Sequence, residues 1–197
     1  MWNERFNTDD YVFGKSPSRF LTEHSAYLAQ GQTALSVGDG EGRNSVFMAE
    51  HGIHVTALEF APNAIDKARK LASERGVTVD FRHCDVLSQD WPEGFDLVAG
   101  IFIQFTGPDG RRVIFDKMKA TTKPGGLVML HGFTPEQVDL GTGGLPSRDN
   151  MYTESILHDA FAGWQVLDCR AYRAEQGSGS GHVGEAALID FIARKPA

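Results

Sequence analysis

The apolar run Thr33–Val37 ends on Gly38-Asp39-Gly40-Glu41-Gly42, and a segment with helical periodicity begins directly after it. A strand that feeds a helix through so short a turn builds a βαβ unit, whose crossover has one favoured hand and whose helix packs back on the sheet. The same alternation continues down the chain. A helix over Asn44–His51 carries Val46, Phe47 and Ala49 on its apolar side and stops at Gly52, and His54–Leu58 is a β-branched strand. Pro62 suits the first turn of the next helix, and Gly76 lies just past its end. Between them Ala64, Ile65, Ala68, Leu71 and Ala72 recur at helical spacing, with Asp66 and Lys70 a favourable ion pair on another face. Strands are predicted over Val77–Arg82 and Phe95–Phe102, then a helix from about Asp109 to Thr121. The turn Lys123-Pro124-Gly125-Gly126 leads into a fifth strand, Leu127–His131. The fold class expected is α/β, a three-layer sandwich around a mostly parallel sheet.

The tail breaks this rhythm. Trp164–Tyr172 and Ala186–Ala193 are strand-like and joined by Glu175–Gly184 without a helix, so they are expected to pair as an antiparallel hairpin. Residues 132–149 show little periodicity. A connection of that length is functional or disordered, and its place after the carboxyl end of a strand favours an active-site loop. At 197 residues the chain is read as one domain, with residues 1–30 an amino-terminal helical segment or lid. Nineteen basic against 26 acidic residues leave a net charge of −7, which argues against a phosphate-backbone footprint and for small soluble partners. No apolar run approaches the ~20 residues that span a bilayer, and the start MWNERFNTDDYVFGK lacks the layout of a signal peptide. Cys84 and Cys169 are too few for a disulfide framework. The expectation is a cytoplasmic monomer or homodimer with two reduced thiols, bound to neither nucleic acid nor membrane.

Three successive strand ends carry the polar residues. Glycines at 38, 40 and 42 let a backbone approach a ligand closely, and the helix behind them offers free N–H groups and positive potential. Glu59 ends the second strand, 17 residues beyond Gly42, where a carboxylate can accept both hydroxyls of a ribose. Asp85 ends the third strand, where an adenine amino group can be read. Arg43 opens a helix, against the macrodipole. Either it pairs with Asp39 or Glu41, or it meets a carboxylate carried by the ligand.

The segments LSVGDGEGRNSVFMAEHG, VTALEFAPNAIDKA, FDLVAGIFIQF and KPGGLVMLHGFTPEQ together resemble the class I S-adenosylmethionine-dependent methyltransferases. Within that superfamily the chain is similar, end to end, to small bacterial methyltransferases related to tellurite resistance (TehB-like). The narrower likeness rests on the amino-terminal WNERF...DYVFGKSPSRFL, on GEGRN and on the late HVGEAALI. The resemblance implies a Rossmann-like, seven-stranded sheet with an antiparallel last strand, in accord with the hairpin. It implies S-adenosyl-L-methionine as methyl donor, leaving as S-adenosyl-L-homocysteine. Gly38, Gly40 and Gly42 then wrap the methionine end, with Asp39, Arg43 and Asn44 beside them. Glu59 and Phe60 fall at the ribose, Asp85 and Val86 at the adenine, and Phe102 and Ile103 on the cofactor's other side. Two positions depart from the pattern. The acid often found two residues before the first glycine is Ser36 here, so orientation of the amino-acid group falls to Asp39 or to water. Many relatives carry His after the fourth strand, where this chain has Gln104.

Methyl transfer from a sulfonium is an in-line displacement, and it needs a base only when the nucleophile arrives protonated. A thiol is already a few per cent thiolate at neutral pH, whereas an alcohol needs far more help. No carboxylate–His pair is recognisable in the sequence. The reading is transfer to a small soft nucleophile: a thiol, sulfide, or a selenium or tellurium oxyanion. The alternatives are O- or N-methylation of a larger metabolite admitted by residues 132–149, and a non-catalytic cofactor sensor. A nicotinamide oxidoreductase is disfavoured by the terminal hairpin and the G-x-G-x-G spacing. Acceptor handling falls to His182, His131 and Arg5, with Arg111 and Arg148 behind them. Arg5 sits among Trp2, Phe6, Tyr11 and Phe13, an aromatic set that forms either a lid or ordinary packing. His51 and His54 lack a third ligand nearby, so no metal is expected.

Overall fold

The computed structural model describes residues 2–197, with Ser178 and His182 described by backbone alone. Seven strands form one sheet: β1 (Thr33–Val37), β2 (His54–Glu59), β3 (Asp80–His83), β4 (Phe95–Ile101), β5 (Thr122–Phe133), β6 (Gln165–Ser178) and β7 (His182–Arg194). Their order is β3-β2-β1-β4-β5-β7-β6. The pairs β1–β2, β2–β3 and β4–β5 are parallel, and β7 runs antiparallel to β5. This is the mostly parallel α/β sheet with a reversed last strand that the sequence predicts. The chain forms two compact units, residues 2–90 with 178–181 and residues 91–177 with 182–197.

The first unit holds β1, β2 and β3 with the helices α1 (Trp2–Arg5), α2 (Arg19–Glu23), α3 (Arg43–Glu50) and α4 (Pro62–Arg75). Helix α4 begins on Pro62 and ends at Gly76, whose φ of 68° is left-handed. Its buried stripe is Ala64, Ile65, Ala68, Leu71 and Ala72, as the periodicity requires. The small residues matter because α3 approaches closely: a Cβ on Gly42 would lie 2.7 Å from the Ala68 Cβ. Strand β3 starts later than expected. Val77 N–H donates to Ala72 O at 3.0 Å and so closes the end of α4, and the extended pairing begins only at Asp80.

The second unit holds β4, β5, β7 and β6 with α5 (Pro108–Thr121), α6 (Gln137–Leu140) and α7 (Glu154–Ala160). The turn expected at residues 123–126 is instead an irregularity inside a longer β5. Phe95 pairs with Thr122 but Leu97 with Leu127, so the extra residues bulge out of the ladder. The hairpin is also longer than expected, with its turn confined to residues 179–181. Phe115, Tyr152, Phe161 and Phe191 stack into the core, with Phe161–Phe191 and Phe115–Phe161 centroids 5.3 and 5.5 Å apart. Each fully buried ring of this size stabilises by about 1.5–3 kcal/mol. Within residues 132–149, Gln137 is completely buried. Its Oε1 accepts from Ala187 N at 2.9 Å, and its Nε2 donates to Thr142 Oγ1 at 2.9 Å, which ties the connection to β7. Among the described residues no helix is long and apolar enough to cross a membrane. Cys84 is buried and Cys169 half-buried, and neither forms a disulfide among the described residues.

Candidate functional site

The glycine loop of the first unit is built by left-handed backbone. Gly38, Gly40 and Gly42 have φ of 59°, 65° and 87°, which residues with a Cβ rarely adopt. Their duties differ. Gly42 is required by the close approach of α4, whereas a Cβ on Gly40 would meet only Phe6 Cζ, at 3.9 Å. Gly40 N–H donates to Glu59 Oε2 at 2.8 Å, and Ala61 N–H donates to Glu59 Oε1 at 2.8 Å. The loop and the end of β2 are thereby bound through one carboxylate. Burial pushes the Glu59 pKa up, and the backbone donors only partly offset it.

Asp39 is buried and hydrogen-bonded to the side chain at position 36. The Ser36 hydroxyl donates to Asp39 Oδ1 at 2.7 Å and the Ser45 hydroxyl to Oδ2 at 2.6 Å. Burial raises the Asp39 pKa to about 6 despite these donors. Neither Asp39 nor Glu59 forms an ion pair among the described residues. Two buried acids without a cation, beside a backbone that admits close approach, suit a ligand with a cationic amino-acid end and a vicinal diol. S-adenosylmethionine fits that description. Asp85 is half-buried, and its oxygens accept from Leu87 N at 3.0 Å and Ser88 Oγ at 2.8 Å. Phe60 is 58% exposed and stacks on His83 at 5.8 Å, presenting an open ring just past Glu59, while Val86 is buried.

Arg43 and Asn44 point elsewhere than expected. Arg43 is buried and makes no ion pair with Asp39 or Glu41 among the described residues; its Nη1 donates to Phe13 O at 3.2 Å. Burial lowers its pKa to about 10, against the raising pull of Glu41 and Asp39. Asn44 Oδ1 accepts from Ser18 N at 2.9 Å. Both side chains therefore serve the amino-terminal segment. Within that segment Arg5 is exposed, its guanidinium 5.2 Å from the Trp2 ring and 5.2 Å from the Phe13 ring. It makes no hydrogen bond or ion pair among the described residues.

In the second unit Phe102 stands just after β4 with φ 57°, a strained conformation for a bulky residue. Its ring lies 4.7 Å from His131, edge-on, and 4.7 Å from Phe133. Ile103 is buried and turned back over Gly100, where a Cβ would meet its Cδ1 at 2.5 Å. Gln104 is bound in both directions to the backbone of Phe133, Nε2 to O at 2.7 Å and N to Oε1 at 2.6 Å, so it acts as a ladder element. His131 is buried with its Nδ1 2.7 Å from Asp190 Oδ1, its direct partner across β5–β7. Tyr172 Oη donates to the same oxygen at 3.1 Å, and Arg170 Nη2 to Oδ2 at 3.2 Å. The expectation that the chain holds no carboxylate–His pair is thus corrected. The side chain of His182 lies outside the described residues.

Sequence reasoning missed Asp190 and Tyr172, and it read Glu41 only as a partner for Arg43. The signal for Asp190 was its position as the lone charge in AALIDFIA, because a charge in a fully buried strand requires a partner.

The methyltransferase domain family matches residues 34–126. A phosphatidylethanolamine N-methyltransferase of Cereibacter sphaeroides is 29% identical over 68% of this chain and 68% of its own length. A ubiquinone biosynthesis O-methyltransferase of Xanthomonas euvesicatoria is 32% identical over 68% of this chain, which spans 60% of that protein. Among solved structures, a protein studied in the conversion of a disulfide bond into a thioacetal group during echinomycin biosynthesis superposes with TM-score 0.77. It has 21% identity, over 95% of this chain and 85% of that one. TehB of Haemophilus influenzae gives 0.75 and 18%, over 98% and 65%. The N-methyltransferase NodS of Bradyrhizobium japonicum, with S-adenosyl-L-homocysteine bound, gives 0.73 and 18%, over 99% and 97%. Residues 34–126, just under half of the chain, are thus similar to the methyltransferase domain family, and the chain shares its fold with solved methyltransferases.

Proposed function

We propose that this methyltransferase acts in the cytoplasm on a small soft nucleophile that arrives protonated, with thiols first. The observation that carries the reading is the buried His131–Asp190 pair. When bound, S-adenosylmethionine supplies an electrophilic methyl on sulfur. The protein's own task is to hold the acceptor in line, which supplies several kcal/mol at reacting distances of about 3–3.5 Å. It must also take one proton. Asp190 accepts the Nδ1 proton of His131 and fixes the tautomer in which Nε2 is the basic nitrogen. Arg5, cationic and held by two aromatic faces, is assigned to attract an anionic or thiolate-forming acceptor. His182 remains a second proton acceptor in this reading, to be tested by substitution. The likeness in fold to a protein of disulfide-to-thioacetal conversion and to TehB supports a soft acceptor. The N- and O-methyltransferase relatives support a second reading, a nitrogen or oxygen acceptor on a larger metabolite.

The test is transfer of isotope-labelled methyl from S-adenosylmethionine to sulfide, methanethiol, an aromatic thiol, selenite and tellurite, with headspace collection. A phenol and an amine complete the panel. Label on the thiols, lost in His131→Ala with cofactor affinity retained, is expected. Label on the phenol or amine alone moves the protein to the second reading.

A further inference from the structure

We propose that Glu41 is a positioning residue that couples the amino-terminal segment to the cofactor-binding loop, so that cofactor binding and closure of that segment stabilise each other. The inference rests on the cofactor reading of the glycine loop. Glu41 is only 3% exposed. Its Oε1 accepts from Val12 N at 3.1 Å and from Lys67 Nζ at 2.9 Å, and its Oε2 accepts from Phe13 N at 3.3 Å. Lys67 Nζ also donates to Asp10 O at 2.7 Å, and Tyr11 Oη donates to Lys67 O at 2.8 Å. With Arg43 on Phe13 O and Asn44 on Ser18 N, all three polar side chains of GEGRN hold residues 12–18. That motif, distinctive in the sequence, reads here as an anchorage.

The segment is gripped from its other side as well. Val12 O accepts from Gly181 N at 2.9 Å, at the tip of the β6–β7 hairpin. A Cβ on Gly181 would stand 2.4 Å from the Phe13 ring, and one on Gly179 2.3 Å from Val12 O. Val12 therefore has its N–H on the glycine loop and its carbonyl on the hairpin tip. The apolar part of the contact is small: Phe6 and Val12 against Ala61 and Ala64, with Trp2 and Phe13 beside them. A segment held by a few polar contacts opens at lower free energy than a core element.

The link to the cofactor is short. Gly40, next to Glu41, has its N–H on Glu59 Oε2. A ligand that engages Glu59 fixes Gly40 and with it Glu41, and Glu41 fixes Val12 and Phe13. Coupling of this kind is reciprocal, so an anchored segment must raise cofactor affinity by the factor that cofactor raises closure.

The test combines calorimetric titration with S-adenosylmethionine and amide hydrogen exchange at Val12 and Phe13, on the full chain, for wild type, Glu41→Gln, Glu41→Asp and Gly181→Ala. Cofactor should slow exchange at both amides in wild type. Glu41→Gln should lose that protection and about tenfold in affinity, and Glu41→Asp should recover part of both. Gly181→Ala loosens the segment from the hairpin side without touching the loop. It should weaken cofactor binding in the same direction, which a purely local role for Glu41 does not predict. Wild-type affinity in Gly181→Ala, or exchange at Val12 and Phe13 that ignores cofactor, overturns the coupling. A wild-type protein that binds no cofactor overturns the cofactor reading and the coupling with it.

Discussion

Asp39 in the first unit and Asp190 in the second are both buried carboxylates, yet their environments push them in opposite directions. Asp39 has two hydroxyl donors and no cation, and burial lifts its pKa to about 6. Burial also lifts Asp190, but the hydrogen bond with His131, together with the bonds from Arg170 and Tyr172, outweighs it and holds the pKa below the ordinary range. One acid is incomplete and suits a positive ligand. The other is complete and orients a neighbour. Burial alone distinguishes nothing here; the partners decide which acid binds and which one positions.

The largest expected effect tests the completed acid. Asp190→Ala leaves His131, Tyr172 and Arg170 without their shared acceptor, and breaking such a buried pair typically costs about 3–5 kcal/mol. Denaturant unfolding measures it, and a loss under about 1 kcal/mol would mean that the pair is not a unit. The two acids should also leave opposite marks on pH dependence. Asp190 has a lowered folded pKa, so its stabilisation is present above the unfolded value and disappears as pH falls through the folded one. Asp39 has a raised folded pKa, so the folded state binds the extra proton between 3.8 and about 6, and stability falls as pH rises through that window. Asp39→Asn should flatten that slope, an effect of about 1–3 kcal/mol at most. Urea midpoints at pH 4 and pH 7 decide it: an unchanged difference between the two removes Asp39 as the cause.

How much of this was legible depends on sequence distance. Pro62 and Gly76 marked both ends of α4, and the spacing of Gly40 and Glu59 placed two groups that lie in hydrogen-bond contact. Each signal is local or repeats along one element. His131 and Asp190 are 59 residues apart and meet only through the β5–β7 register, which no local pattern sets. Val12 and Glu41 are 29 apart, and their contact runs through backbone N–H groups, which carry no sequence signature. The bulge that keeps Lys123–Gly126 inside β5 looked like a turn because Pro-Gly-Gly serves both conformations.

The incomplete acids are sharpened by Glu59→Ala. It removes the acceptor for Gly40 and Ala61 N–H and the group assigned to the ribose, so S-adenosylmethionine affinity should fall tenfold or more, about 1.4 kcal/mol per decade. Calorimetry checks it, and unchanged affinity strikes Glu59 from the site.

Tyr172→Phe is the smallest effect and the finest probe of the completed acid. Asp190 Oδ1 accepts from both His131, at 2.7 Å, and Tyr172, at 3.1 Å, so the longer bond is the weaker of two to one oxygen. Its loss should cost about 0.5–1.5 kcal/mol. The ring that stacks under Arg170 at 4.6 Å stays, so the Arg170 contact to Oδ2 persists. With one donor fewer the Asp190 pKa rises toward its ordinary value, and the acid edge of stability moves to higher pH. If the acid-unfolding midpoint stays in place while stability drops, the hydroxyl packs without holding the charge, and the lowered pKa of Asp190 belongs to His131 and Arg170 alone.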